Sequence, residues 1–247
     1  MQAPLFIDLL LPLVLFTAAL VQAAGGMGFG LIAGPGLVLA LGGAAGIQAT
    51  IMLNLIVALV TWLACHQEVR YAHVLPMVPG LLAGIGCGLG LSLVVPELAI
   101  KIALCIVLGW ICFINTWVVQ KAGSSLVKFS LLSGVMAGCL AIPGPAASVY
   151  LRGISQTAGA ARSAMMPLLF FTYAVAGVGV VALHGLNEKA LEMSTSYGPI
   201  ATAGVFAGLW LSRWLSERTL SRITQGLLFG TFLTLTYATT VELFKFL

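Results

Sequence analysis

The feature that most constrains this chain is a glycine-rich stretch, GGMGFGLIAGPG at Gly25–Gly36, inside a long apolar segment. Six glycines and one proline interrupt an apolar run that extends from Leu5 to Leu41. Glycine costs about 1 kcal/mol relative to alanine inside a helix, and proline costs about 3 kcal/mol. We therefore predict a broken helix with exposed backbone N–H and C=O groups. Such groups are tolerated at membrane depth only when they are buried in protein or face water.

A second interruption of this kind lies near the middle of the chain. A shift of 110 residues brings five pairs of identical residues into register: Gly28 with Gly138, Ile32 with Ile142, Gly34 with Gly144, Pro35 with Pro145 and Gly43 with Gly153. Two broken apolar segments at matching positions of two halves point to the binding site of a transporter. The alternative is that glycine and proline are simply frequent in membrane helices.

The composition places the whole chain in a membrane. Of its 247 residues 60% are hydrophobic and 7% are charged, and the mean hydropathy is +1.10, so we predict one transmembrane domain over residues 1–247. The net charge of +4 is scattered, which argues against a nucleic-acid partner. The five cysteines have no CxxC spacing, and neither a metal site nor a cofactor is expected.

Ten apolar segments follow one another, separated mostly by short polar links. Their approximate bounds are 5–23, 28–41, 45–65, 74–95, 98–119, 126–142, 145–151, 160–183, 197–210 and 223–244. They predict an all-α integral membrane protein made of two inverted structural repeats, at about 1–120 and 121–247. Each repeat is expected to contain one Gly/Pro-broken helix, which forms a hairpin, and three spanning helices.

The basic residues indicate how the broken segments thread through the membrane. If each broken segment crosses once, six basic residues face five, and neither side is favoured. If each enters and returns, one side holds Arg70, Lys121, Lys128, Arg152, Arg162, Arg213, Arg218 and Arg222, and the other holds Lys101, Lys189 and Lys245. The positive-inside rule favours the second threading. Both termini are then expected in the periplasm, and the two halves are inverted.

Several of these features together resemble the TauE/SafE sulfite exporter family. They are the glycine-rich broken first helix, a following segment that carries Asn54, and a Gly-Pro pair at mid-chain before an arginine-flanked loop. The resemblance covers nearly the whole chain, although Phe29 stands where the family commonly has a glycine. It implies a bacterial inner-membrane carrier, conventionally counted at about eight helices, that moves sulfite, sulfoacetate, taurine-related or other organosulfur anions.

The two broken segments can also form an anion site on physical grounds. A half-helix N-terminus carries unsatisfied N–H groups and about half a positive charge, and glycine lets an anion reach the backbone. We predict a backbone cradle from the glycines at the breaks, namely Gly28, Gly30, Gly34, Gly138 and Gly144. Ser148 and Asn54 are the predicted side-chain donors, although Asn54 could instead make a hydrogen bond between helices.

Arg152 and Arg162 flank the loop after the second broken segment. A guanidinium group suits bidentate binding of a sulfonate or a carboxylate, so both residues are candidates for substrate binding. Both also belong to the cytoplasmic set of charges, and anchoring of the topology is the alternative role.

The sequence thus predicts a secondary transporter for a small sulfur oxyanion or sulfonate, working by alternating access, with a proton or sodium ion as a possible coupling ion. An anion channel and a carrier of a non-sulfur organic anion are the alternatives. An enzyme is not expected, because the chain lacks a GxSxG serine and a GxxxxGK[ST] nucleotide loop, and its histidines lie at segment ends. Glycines spaced by four, at Gly80, Gly84 and Gly88 and at Gly204 and Gly208, predict close helix packing.

Overall fold

The computed structural model describes residues 3–113, 125–155, 157–214 and 217–246, and within them it contains ten helices and no strand. The helices are α1 Ala3–Gly25, α2 Phe29–Leu41, α3 Gly43–Cys65, α4 Tyr71–Ser92, α5 Glu97–Phe113, α6 Leu126–Leu140, α7 Gly144–Ile154, α8 Ala158–His184, α9 Glu188–Leu211 and α10 Glu217–Phe246. A short 3-10 turn at His66–Glu68 precedes α4, which itself contains one 3-10 turn. Each predicted apolar segment corresponds to one helix, which confirms the all-α class.

Three helices are long and apolar enough to cross a membrane by themselves: α3, α4 and the Gly159–His184 part of α8. Four shorter apolar helices or parts of helices accompany them, at Leu10–Gly25, Phe29–Leu41, Leu98–Trp110 and Leu126–Leu140. With the hydropathy of the chain, these helices make the protein an integral membrane protein. The predicted boundary between the repeats, near residue 120, and Lys121 lie outside the described residues.

Local capping signals set the junction between α8 and α9. Helix α8 ends before Gly185, whose φ of +75° suits glycine. Helix α9 begins after Asn187, whose side-chain oxygen accepts a hydrogen bond from the Ala190 N–H at 3.2 Å. The helix therefore starts at Glu188, whereas the predicted apolar segment begins at Tyr197. Its first turns are polar, so hydropathy does not reveal them and the N-cap is the signal for where the helix starts.

The two most extensive helix contacts, α4 with α6 and α1 with α9, both use glycine. Gly84 of α4 lies against the Leu131 carbonyl of α6, and a Cβ built on Gly84 would lie 2.9 Å from the Gly134 Cα. Gly204 and Gly208 of α9 lie in the same way against backbone carbonyls of α1. The prediction that these glycines serve close helix packing is confirmed.

The pattern of helix contacts is largely preserved when the first five helices are exchanged with the last five. Under this exchange, the contact between α1 and α9 corresponds to the contact between α6 and α4. The contact between α1 and α2 corresponds to that between α6 and α7, and the contact between α2 and α3 to that between α7 and α8. The contacts α3–α8 and α5–α10 each correspond to themselves. The helix starts correct the 110-residue register, because α2 and α7 begin at residues 29 and 144, which are 115 apart. Pro35 lies inside α2, whereas Pro145 occupies the first turn of α7, where a missing N–H costs little.

Candidate functional site

The first helix break separates α1 from α2 and depends on glycine. Gly26 and Gly28 have φ values of +91° and +142°, which L side chains rarely adopt. The break is also held by Gln22 on the last turns of α1, because its Oε1 accepts a hydrogen bond from the Phe29 N–H at 3.1 Å. Gln22 therefore satisfies one of the free N–H groups at the start of α2.

The second helix break, between α6 and α7, is held by the side chains of Ser133 on α6 and Tyr173 on α8. Ala141 adopts the left-handed conformation, with φ 56° and ψ 34°, which costs an L residue about 1–2 kcal/mol. The Tyr173 hydroxyl of α8 donates to the Ala141 carbonyl oxygen at 3.1 Å. The buried Ser133 hydroxyl donates to the Pro143 carbonyl oxygen at 2.7 Å. These two hydrogen bonds give side-chain partners to two backbone carbonyls at the break.

The two breaks lie against each other inside the helix bundle. A Cβ built on Gly144, the first residue of α7, would lie 3.3 Å from the Cβ of Met27 in the first break. A Cβ built on Gly30 would lie 2.8 Å from the Ala141 carbonyl oxygen in the second break. The fold thus brings the N-terminal turns of α2 and α7 together, and with them two positive helix-dipole ends.

A pocket beside the first break contains both predicted arginines, and we call it the arginine pocket. It is a small cleft with a cavity volume of about 10 Å³, room for about one water molecule, and it is lined by Gly25, Gly26, Met27, Ser148, Arg152, Ala161, Arg162 and Met165. The Arg162 Nη1 group donates to the Ala24 carbonyl oxygen at 3.1 Å, so this guanidinium also caps the C-terminal end of α1. Among the described residues, two cationic side chains and no carboxylate line the pocket, which makes it suitable for an anion.

The predicted site residues fall into three groups. Ser148, Arg152 and Arg162 line the arginine pocket, although the Ser148 hydroxyl donates to the Pro145 carbonyl oxygen of its own helix. Those at or beside the breaks are Gly28, Gly30, Gly144 and Asn54. Gly34 and Gly138 lie elsewhere, because Gly34 faces Thr50 of α3 and Gly138 packs against the backbone of α4.

Two buried polar residues at the breaks were not predicted from the sequence. Gln22 and Tyr173 are 1% and 2% exposed, and each bonds to one of the two breaks. The signal was present, because each is a polar side chain within an apolar stretch of a largely apolar helix, where burial requires a partner. Nothing in the local sequence, however, indicates which helix provides that partner.

A second pocket lies at the opposite end of α8, and we call it the His184 pocket. Its cavity volume is about 180 Å³, and it is lined by Gly43, Ala44, Ile47, Ser92, Val95, Ile100, Gly138, Val180 and His184. Arg162 and His184 are separated by about 33 Å along α8 at 1.5 Å per residue. The two pockets therefore lie toward opposite ends of α8, and the first break forms part of the arginine pocket.

Alanine at Gly30 and alanine at Gly34 are expected to have opposite effects on stability. At Gly30 the new Cβ would press on the Ala141 carbonyl, so we expect a loss of about 1–3 kcal/mol. At Gly34 the nearest atom of Thr50 is 3.5 Å away, and removal of a helical glycine contributes about 0.5–1 kcal/mol. Thermal unfolding of the two purified variants checks this, and an equal loss at both positions would contradict the assignment of Gly30 to the contact between the breaks.

An all-helical membrane protein with two broken helices that meet beside a cationic pocket has the organisation of a membrane transporter. The family model described as sulfite exporter TauE/SafE matches residues 11–235, nearly the whole chain. The protein belongs to the TauE/SafE family, which is a family of transporters. No curated protein and no solved structure matches the chain.

Proposed function

We propose that this protein is a secondary transporter that moves a small sulfur oxyanion or sulfonate, such as sulfite or sulfoacetate, across the cytoplasmic membrane. The observation that carries the proposal is the arginine pocket, in which Arg152 and Arg162 face the open backbone of the first break. The family description supports a sulfur oxyanion as the cargo. The substrate class and the mechanism go beyond that description and rest on the chemistry of the site.

The pocket offers an anion several donors at once. A guanidinium group can bind two oxygens of a sulfonate through parallel N–H groups, and such charge-assisted hydrogen bonds are about twice as strong as neutral ones. The first turns of α2 and α7 meet at Gly30 and Gly144, and the dipoles of these two helices favour negative charge there. Together these groups replace the water that a sulfonate loses when it enters the protein.

The proposed mechanism is alternating access between two inverted repeats, at about 1–120 and 121–247. The contact pattern that largely survives exchange of the two sets of five helices supports the repeats. Two pockets that lie toward opposite ends of α8 support access from one side at a time. Rocking of one repeat against the other would open the arginine pocket and the His184 pocket in turn.

The proposed orientation places the arginine pocket on the cytoplasmic side and both termini in the periplasm of a bacterial inner membrane. Arg152 and Arg162 belong to the larger set of basic residues, which the positive-inside rule assigns to the cytoplasm. The His184 pocket supports this threading, because it is lined from the start of α3, the end of α4, the start of α5 and the end of α8. The threading puts all four of these helix ends on the outer side.

A ligand-binding experiment tests the proposed substrate class. Sulfite and sulfoacetate are expected to raise the thermal unfolding temperature of the purified protein as their concentration rises, because they bind only the folded state. Taurine is expected to stabilise less, since the part of the chain that the structure describes provides no carboxylate in the arginine pocket to pair with its ammonium group.

The response of folded protein to a panel of anions separates the alternatives. Stabilisation by simple carboxylates and not by sulfur oxyanions would support a carrier of non-sulfur organic anions. Flux that never saturates with anion concentration in reconstituted vesicles would indicate a channel. Imposed proton and sodium gradients in the same vesicles would identify the coupling ion.

A further inference from the structure

The hydrogen bonds at the first break determine which way the Asn54 amide points. A backbone N–H can only donate, so the Gln22 atom that faces Phe29 must be the carbonyl oxygen Oε1. The Gln22 Nε2 group is then left to donate to the Asn54 Oδ1 atom at 2.9 Å. The Asn54 Nδ2 group, which is a donor only, must point away from Gln22. The backbone at the break thus fixes the orientation of a side chain on α3.

The Asn54 Nδ2 group lies in a cluster of polar atoms around Gly30. A Cβ built on Gly30 would lie 3.3 Å from this group, 3.2 Å from the Tyr173 hydroxyl and 2.8 Å from the Ala141 carbonyl oxygen. Asn54 is fully buried, and its Nδ2 group lies beside the Tyr173 hydroxyl but has no hydrogen bond of good geometry. A buried donor without a well-placed acceptor costs free energy comparable to a lost hydrogen bond, so this cluster favours a further acceptor.

The transported anion can supply that acceptor. The oxygens of sulfite and of a sulfonate accept hydrogen bonds, and the Tyr173 hydroxyl can turn from the Ala141 carbonyl to such an oxygen. Met27, which lines the arginine pocket, is only three residues from Gly30, so an anion held by the arginines is close to the cluster.

We propose that Asn54 and Tyr173 are the donors of an inner oxyanion subsite beside Gly30. We further propose that Gln22 is the positioning residue that keeps the Nδ2 group of Asn54 directed toward this subsite. The proposal rests on the proposed function, and it adds Tyr173 and Gln22 to the substrate-binding machinery. Because the subsite offers N–H and O–H donors, it selects ligands that present unprotonated oxygens.

A purely structural role for the cluster predicts different transport kinetics from a role in anion binding. If the three side chains only hold the breaks together, their removal lowers stability and the maximal rate and leaves the apparent KM for the anion unchanged. If they bind the anion, the apparent KM rises in folded protein. The split between KM and the maximal rate therefore separates the two roles.

The experiment is saturable sulfite uptake into proteoliposomes that contain the full chain. Tyr173→Phe keeps the ring and removes the hydroxyl, and Asn54→Leu keeps the approximate volume and removes the amide. Each is expected to raise the apparent KM for sulfite about tenfold or more, the size of one lost hydrogen bond to a charged group. Gln22→Met is expected to raise it less, because Asn54 remains but can rotate. Tyr150→Phe, at a buried tyrosine of α7 outside the arginine pocket, is the matched control.

The outcomes distinguish the subsite from the proposed function. Sulfite uptake by the wild type, with an unchanged apparent KM in folded Tyr173→Phe and Asn54→Leu, would overturn the subsite alone. Wild-type protein that is folded but carries neither sulfite nor sulfoacetate would overturn the proposed function, and the subsite with it. Thermal unfolding establishes that each variant is folded, and Tyr173→Phe decides the question if Asn54→Leu does not fold.

Discussion

Replacement of Gly84 by alanine is expected to lower the stability of the folded protein by about 3 kcal/mol, whereas alanine at Gly86 on the same helix is expected to stabilise it by about 0.5–1 kcal/mol. The new Cβ at Gly84 would overlap the Leu131 carbonyl and lie 2.9 Å from the Gly134 Cα. Backbone atoms on both sides cannot move without separating α4 from α6. A Cβ at Gly86 would meet no atom within 4 Å.

The measurement is the yield of monodisperse protein in detergent together with its thermal unfolding temperature. Gly86→Ala is the matched control, because it makes the same chemical change two residues further along α4. Equal unfolding temperatures for the two variants would contradict the close crossing of α4 and α6. The same reasoning applies to Gly208 of α9, which lies against the Leu20 carbonyl of α1.

Replacement of both Arg152 and Arg162 by glutamine is expected to reduce sulfite flux about a hundredfold or more at low substrate concentration. Each arginine can contribute a charge-assisted hydrogen bond worth about 1.5–3 kcal/mol to a bound anion. Their removal leaves the arginine pocket without a cation among the residues that line it. Glutamine is long enough to retain part of the hydrogen bonding, so the change tests mainly the charge.

The matched control for this pair is the double variant Arg70→Gln and Arg213→Gln. Both of these arginines are exposed and belong to the same predicted cytoplasmic set, but neither lines the pocket. Initial rates in proteoliposomes of equal protein content give the comparison. A similar loss of flux in the control would mean that Arg152 and Arg162 act as topology anchors and not as ligands.

The position of Arg162 allows this residue both to cap α1 and to bind an anion in the arginine pocket. One of its N–H groups caps the C-terminal end of α1 through the Ala24 carbonyl, which holds the side chain over the first break. The other guanidinium donors remain available to the arginine pocket, since arginine carries five N–H groups. Lysine at this position keeps the charge but loses the planar fork, and it is therefore not a conservative replacement.

The sequence by itself determined the elements of this protein. Runs of apolar residues predict the segments that are buried in a membrane. The glycines and the proline of Gly25–Gly36 predict a helix break, because these residues are unfavourable inside a helix. Both depend on neighbours in the chain, so composition and spacing are sufficient to find them. The same is true of the packing faces around Gly84 and Gly204, because a four-residue spacing puts small residues on one side of a helix.

Only the tertiary structure decided which of these residues share a site. Gly30 and Gly34 are one helical turn apart and look alike in sequence, yet only Gly30 contacts the second break. Gly138 packs against α4, while the unpredicted Gln22 and Tyr173 bond to the breaks. These outcomes depend on how helices far apart in the chain rotate and cross. Local sequence carries no information about that geometry, because the contacting partner lies on another helix.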